Sequence, residues 1–346
     1  MNLFVGYQLR PDSRFVDTIV ENREHVKEVY FSWGKIPNGR NSTAIKYGFF
    51  DWEAIERQKK DLDRISNAGI GLNLLLNGNC YGKNSLARKF YDEIGNLIDY
   101  LESVYGMKSV TTTSPIIAKF VKENFPQLEV RASVNMEIGT MEGVNYLSEW
   151  FDGFYARREL NRRPKELKAF ADSCHEIGKK VYMLANSGCL NYCSARQFHD
   201  NLVSHENEIA YIDNAYQFHG VCREFLKNEK NHIDLLRVSN WVRPEDLRKC
   251  ANFVDGVKLA TRVSNHPEMI LRSYIAESHS GNILQLMEPD FSDIYPNMVL
   301  DNHSLPEDFY EQVTNCSKNC KTCEKCKNYM IQALQKLPEI QMFHSK

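Results

Sequence analysis

Along this chain, short apolar runs alternate with longer stretches in which apolar residues recur every three or four positions. Runs of four to six apolar residues bounded by turn residues predict buried strands, and the longer recurrence predicts helices packed on them. On this basis Phe4 to Gln8, Val29 to Trp33, Leu72 to Leu76, Ser109 to Thr113, Val130 to Val134, Gly153 to Ala156 and Lys180 to Leu184 are seven successive strands. Phe15, Ile19 and Val20 mark a helix after the first. Trp52, Ile55, Leu62 and Ile65 mark another that Gly69 ends, and Leu86, Phe90, Ile94, Leu97, Leu101 and Val104 draw a third stripe. Pro115 suits the first turn of a helix reaching about Asn124. Gly139 to Trp150, Glu166 to Ile177 and Arg243 to Ala251 complete the helical stretches.

Unbroken alternation of strand and helix predicts a parallel sheet. Two segments compete to be the last strand: Leu235 to Ser239 and Val257 to Ala260. An eighth parallel strand makes the expected fold class α/β, a (β/α)8 TIM-like barrel whose site is built from loops at the carboxyl ends of its strands. From about Gln285 the pattern changes. Pro289, Pro296 and Pro306 interrupt short polar segments until Tyr329 to Leu334. The expected division is therefore a barrel over residues 1–284 and a Cys-rich C-terminal extension over 285–346, with no internal repeat.

Composition adjusts this picture in two respects. The 346 residues are 42% apolar and 25% charged with a formal net charge of −2, so no strongly basic footprint announces nucleic-acid binding. No apolar run reaches the roughly 18 residues of a membrane span, and Met1 to Asp12 lacks the basic and small-residue marks of a leader, so a cytoplasmic protein without a membrane partner is expected. In such a chain ten cysteines point to metal, cluster or redox chemistry rather than to disulfides.

The cysteines are clustered. Cys189 and Cys193 follow the seventh strand in Asn186 to Glu206, about one helical turn apart, and Cys222 comes 29 residues after Cys193. Cys80, in a loop leaving the third strand, is the expected fourth ligand. Soft ligands at this spacing favour an iron–sulfur cluster, with zinc and free thiols as the alternatives. Cys316, Cys320, Cys323 and Cys326 are denser, four thiols in 11 residues. Their spacing fits a second cluster or a structural metal knuckle; a radical-SAM triplet belongs in a barrel's first loop instead. Cys174 and Cys250 lie in helical patterns and read as buried fillers.

Other side chains near strand ends are candidates for chemistry. A helix through QFHDNLVSHE puts His199 and Glu206 on one face and turns His205 away, so His199 is a candidate for proton transfer, against a surface or capping role. Arg157, Arg158, Arg162 and Arg163 crowd the loop after the sixth strand. Arg157, nearest the strand end, is the candidate for a substrate anion, whereas Arg162 and Arg163 read as a solvated charged loop.

RVSNWVRPEDLRKC (237–250), followed by GVKLATR (256–262), resembles the Ser-x-x-Asp-Leu … Lys-Ile-x-Gly-Arg ending of the peptidase U32 (collagenase-like) family. Ala132-Ser133-Val134-Asn135 resembles that family's fifth-strand segment, and the resemblance spans roughly Met1 to His266. It implies that Val257 to Ala260 closes the barrel. It also implies a 4Fe-4S cluster on four cysteines, in proteins that hydroxylate an aromatic ring or RNA base without molecular oxygen, with peptidase activity claimed for some members. The tight Cys-x3-Cys pair and the Cys-rich tail depart from the common family pattern.

The expected function is thus an iron–sulfur enzyme acting on a small molecule, peptide or RNA, with an electron donor or partner protein, and Asn135, Asn186, Asn201, Arg243 and Arg262 as candidate substrate-binding residues. A peptidase or other hydrolase with structural cysteines is the alternative, although neither a Gly-x-Ser-x-Gly elbow nor a His-Glu-x-x-His motif occurs. A non-catalytic cluster-bearing subunit is the third.

Overall fold

The computed structural model describes residues 1–39, 45–46 and 49–337. Eight parallel strands close into a barrel: β1 (Leu3–Gly6), β2 (Val26–Phe31), β3 (Gly71–Leu76), β4 (Ser109–Thr112), β5 (Glu129–Ala132), β6 (Gly153–Tyr155), β7 (Lys180–Leu184) and β8 (Gly256–Leu259). Each pairs with its sequence neighbour, and β1 closes on β8 through Leu3 opposite Val257 and Val5 opposite Leu259. The closing strand is therefore the one at Val257. Leu235–Val238, the competing segment, is a short helix that follows a 3-10 turn at His232–Asp234.

The two-residue period of the strands sorts their side chains. Val5, Val29, Phe31, Leu72, Leu74, Val110, Val130, Phe154, Val181, Met183, Val257 and Leu259 face outward into the layer shared with the helices. Phe4, Tyr30, Leu75, Tyr155, Tyr182, Leu184 and Ala260 fill the interior. Local signals start and stop the helices: Asp51 caps Trp52–Asn67, Ser114 caps Pro115–Asn124, and Gly106, at φ +63°, ends Arg88–Tyr105.

Within the barrel interior Arg131 lies between two carboxylates. Its Nη1 donates to Glu28 Oε1 at 2.7 Å and its Nε to Glu129 Oε1 at 2.7 Å, while its guanidinium stacks over Tyr182. Burial works against ionisation of Glu129, but Arg131, Tyr182 and Lys180 outweigh it and hold the carboxyl down at about 2.

The C-terminal segment belongs to the same core. Phe291, Tyr295, Leu300, Phe309, Tyr310 and Met330 are buried with the barrel's apolar residues. Met298–Leu300 pairs antiparallel with Leu334–Lys336, and helix Lys325–Ala333 lies between them in sequence. Residues 338–346 of the expected extension lie outside the described residues. Among the described residues no helix is long and apolar enough to cross a membrane.

Replacing Arg131 by Met is expected to cost ~3–5 kcal/mol in chemical denaturation, because it leaves two carboxylates buried without their cation. Glu129 sits lower folded than its ordinary 4.5, so its contribution is complete above that value and lost as pH falls from there towards 2. Denaturation midpoints of Glu129→Gln should accordingly fall less than wild type across that window.

Candidate functional site

After β7 the chain does not enter a helix directly. Ala185 to Ala195 forms a loop, and the helix starts only at Arg196 and ends at Ser204. That loop is tied down residue by residue. Gly188 N–H donates to Glu288 O at 2.8 Å, Asn240 Nδ2 to Cys189 O at 3.0 Å, and Asn191 N–H to Val238 O at 2.6 Å. Tyr192 turns through φ +52°, and its N–H donates to Glu159 Oε1 at 2.9 Å.

A buried ionic network underlies the loop. Arg196 pairs with Glu137 and, at 3.3 Å, with Glu159, while its Nη2 donates to Leu190 O at 2.8 Å. Arg158 donates to Glu137 at 2.8 Å and to Asn135 Oδ1 at 2.9 Å. Burial alone would raise the Glu159 carboxyl, but the Tyr192 N–H and Arg196 bring it below its ordinary value. For Arg196 burial opposes the charge, and Glu137, Cys189 and Glu159 more than compensate.

Above this loop opens a cavity of about 750 Å³ lined by Cys189, Cys193, Cys222, Arg158, Arg196, His199, Asp200 and Glu206 among others. Cys222 arrives on helix Val221–Lys227. Gly220, at φ +91° just before that helix, takes a backbone conformation that side-chain-bearing residues rarely adopt, and it lies close to both Cys222 Sγ and the His199 ring. Burial, followed by the neighbouring Cys189, pushes the Cys222 thiol up to about 11. Among the described residues no group of three or more His, Cys, Asp and Glu side chains is arranged to hold a metal ion as it stands.

Several expected site residues lie elsewhere. Cys80 does not line the cavity. It faces His205, whose hydrogen bond, with the Gly82 N–H at 3.4 Å, lowers the Cys80 thiol, and His205 Nδ1 lies 3.0 Å from Glu208 Oε2. The helix ends before His205, which frees that ring to turn towards Cys80. Asn186 is wholly buried; its Nδ2 donates to Ala260 O and Leu286 O and its Oδ1 accepts from Ala260 N–H, so it straps β7 to β8 rather than meeting substrate.

Arg243 is likewise structural: it pairs with Asp246, donates to Pro306 O at 3.1 Å and lies over the Phe309 ring. Arg157 bonds Glu159 at 3.0 Å and covers the Tyr192 ring, outside the cavity wall. Asn201 is exposed on its helix, Asn135 is taken by Arg158, and Arg262, at the end of β8, donates to Asn38 Oδ1 at 3.0 Å. Arg162, expected in a solvated loop, is buried, with Nε donating to Trp241 O at 2.9 Å. Arg163 keeps a surface partner in Glu166. Cys174 and Cys250 are buried fillers as expected.

Sequence reasoning passed over Arg196 and Asp200, and named Arg158 only as one of the arginines crowding the loop after the sixth strand. Asp200 is buried at the cavity with Oδ2 lacking a hydrogen-bond partner, so it presents an acceptor there. Its position one residue after His199 was the available signal, but the helix face it occupies depends on where the helix begins.

No family model matches the sequence, and no curated protein matches it. Among solved structures, the fold is similar to that of the U32 peptidase Mk0906, with a TM-score of 0.52 and 16% identity over 75% of this chain and 91% of that one. A GH113 β-1,4-mannanase gives 0.37 and 9%, covering 74% and 86% respectively. A glycoside hydrolase family 5 mannosidase from Rhizomucor miehei gives 0.35 and 10%, covering 74% and 80%. The first of these shows a shared barrel fold.

The Cys80 thiol should alkylate with a pH midpoint below that of an ordinary thiol, and His205→Ala should move that midpoint upward. Mass spectrometry of the Cys80 peptide after timed iodoacetamide exposure measures both.

Proposed function

We propose that the chain is an iron–sulfur enzyme in which Cys189, Cys193 and Cys222 hold a 4Fe-4S cluster at the cavity wall. Its reaction is a redox modification of a small molecule, peptide or RNA without molecular oxygen, hydroxylation included. The observation that carries this reading is the arrival at one cavity of three thiols, two from the loop after β7 and one from helix Val221–Lys227. A cubane meets each thiolate through a different iron, so it does not require the sulfurs to converge on one point as a zinc ion does. The donor set is soft, partly buried and backed by the Arg196 cation. Three thiols at the wall would leave such a cluster one iron without a cysteine ligand, and Cys80 does not line the cavity.

When bound, such a cluster supplies an electron-transfer or Lewis-acid centre. The chain's own residues do the rest. Asp200 accepts a hydrogen bond from a substrate donor, and His199 holds or moves a proton at a substrate atom beside Cys222. Arg158, held by Glu137 and Asn135, gives the cavity a cation for a carboxylate or phosphate.

A second reading has its own observation. Cys80, His205 and Glu208 stand in the order nucleophile, base and orienting carboxylate, which is the arrangement of a thiol hydrolase. Under that reading the cavity thiols are structural.

After anaerobic purification, wild type should carry iron and acid-labile sulfide, and Cys189→Ser/Cys193→Ser should lose one cluster's worth of both. Zinc without iron would overturn the redox reading. Peptide cleavage by metal-stripped protein, abolished by Cys80→Ala, would establish the hydrolase instead.

A further inference from the structure

Three of the tail thiols, Cys316, Cys320 and Cys323, lie between helix Phe309–Thr314 and helix Lys325–Ala333, and the fourth, Cys326, lies at the start of the second. The connection doubles back on itself: Lys318 takes φ +58°, Cys320 N–H donates to Lys318 O at 3.0 Å, and Thr322 N–H to Asn319 O at 3.4 Å. Cys316 Sγ lies 3.6 Å from Val313 O at the end of the first helix, and Cys326 occupies the first turn of the second. The four fall within 11 residues, three in this connection and the fourth in the first turn of the helix it leads into, and as the chain stands no three of them are arranged to hold a metal ion.

Their surroundings are cationic. Arg162 is buried beside Cys326; its Nε is satisfied by Trp241 O, but its Nη2 is buried without any hydrogen-bond partner. Lys318 turns inward, its Nζ donating to Arg162 O at 3.2 Å and to Val313 O at 2.7 Å. Arg237, held by Asp234 at 3.0 Å, reaches Cys320. Neutral thiols are weak acceptors and offer no charge to balance three cations. An unpaired buried guanidinium N–H is costly, and Arg162 Nη2 has no acceptor, sulfur included.

We propose that Cys316, Cys320, Cys323 and Cys326 form a second, tetrathiolate metal centre, distinct from the barrel cavity, that pins the C-terminal segment to the loops after β6 and β7. Four thiolates on zinc, or on an iron–sulfur cluster, carry net negative charge, which is what Arg162, Lys318 and Arg237 are placed to balance. Closed ligation by four cysteines leaves no coordination position for a substrate; with zinc such a centre is structural. The centre does not depend on the reading of the barrel thiols.

The test is metal and sulfide analysis of the full chain, purified anaerobically, as wild type, as Cys320→Ser/Cys323→Ser and as the barrel variant Cys189→Ser/Cys193→Ser. The tail variant should lose one centre per chain while the barrel variant keeps it. Zinc lost alone identifies the ion, and iron lost with sulfide identifies a cluster. In wild type, mass spectrometry should find the four tail cysteines protected from alkylation until a chelator is added, a readout that needs no variant to fold. Equal metal content in wild type and tail variant, with tail thiols that alkylate at the same rate with and without chelator, would overturn the proposal.

Discussion

The candidate site depends on the hydrogen-bonded ion network that joins Glu137, Glu159 and Arg196. These residues follow β5, β6 and β7 respectively, so one guanidinium ties three successive loops at the same end of the barrel. Against an apolar packing of equal volume such a network adds little net stability, because desolvation offsets the attraction. Its effect is directional. Leu190 O and Tyr192 N–H are both held by it, which fixes the backbone of the Cys189 to Cys193 turn at two points, and both thiols line the cavity.

Cysteine meets four environments in this one chain. Cys174 and Cys250 are sealed in the core, where burial pushes their thiols up to about 11 and about 12, and they serve as small apolar residues. Cys189, Cys193 and Cys222 share a cavity wall. Cys80 faces an imidazole that favours its thiolate. The tail four are ringed by cations. Environment, more than residue type, separates inert thiols from candidate ligands and nucleophiles.

The C-terminal segment contributes to the barrel's own integrity. Tyr310 OH donates to Asn161 O, while Arg162 and Arg243 both lie over the Phe309 ring. Arginines that crowd the loops of a barrel invite a reading as anion binders. Here two of them are buried supports for an apolar residue from the last sixth of the chain, and the cavity's cations are instead Arg158, Arg196 and Arg223, each anchored by a carboxylate.

Strand positions, the closure of eight of them into a barrel and the grouping of the cysteines were all legible in the amino-acid sequence, because apolar runs, helical periods and residue spacing are local properties of a chain. The direction in which a polar side chain points is not local. Asn186 becomes a strap between β7 and β8 only because Ala260 and Leu286 come beside it, and Arg243 is buried only because Pro306 and Phe309 fold over it. Cys80 pairs with His205 across more than a hundred residues since the neighbouring helix stops at Ser204. Such partners are set by closure of the barrel and by packing of the C-terminal segment, so tertiary structure alone decided which residues face the cavity and which hold it open.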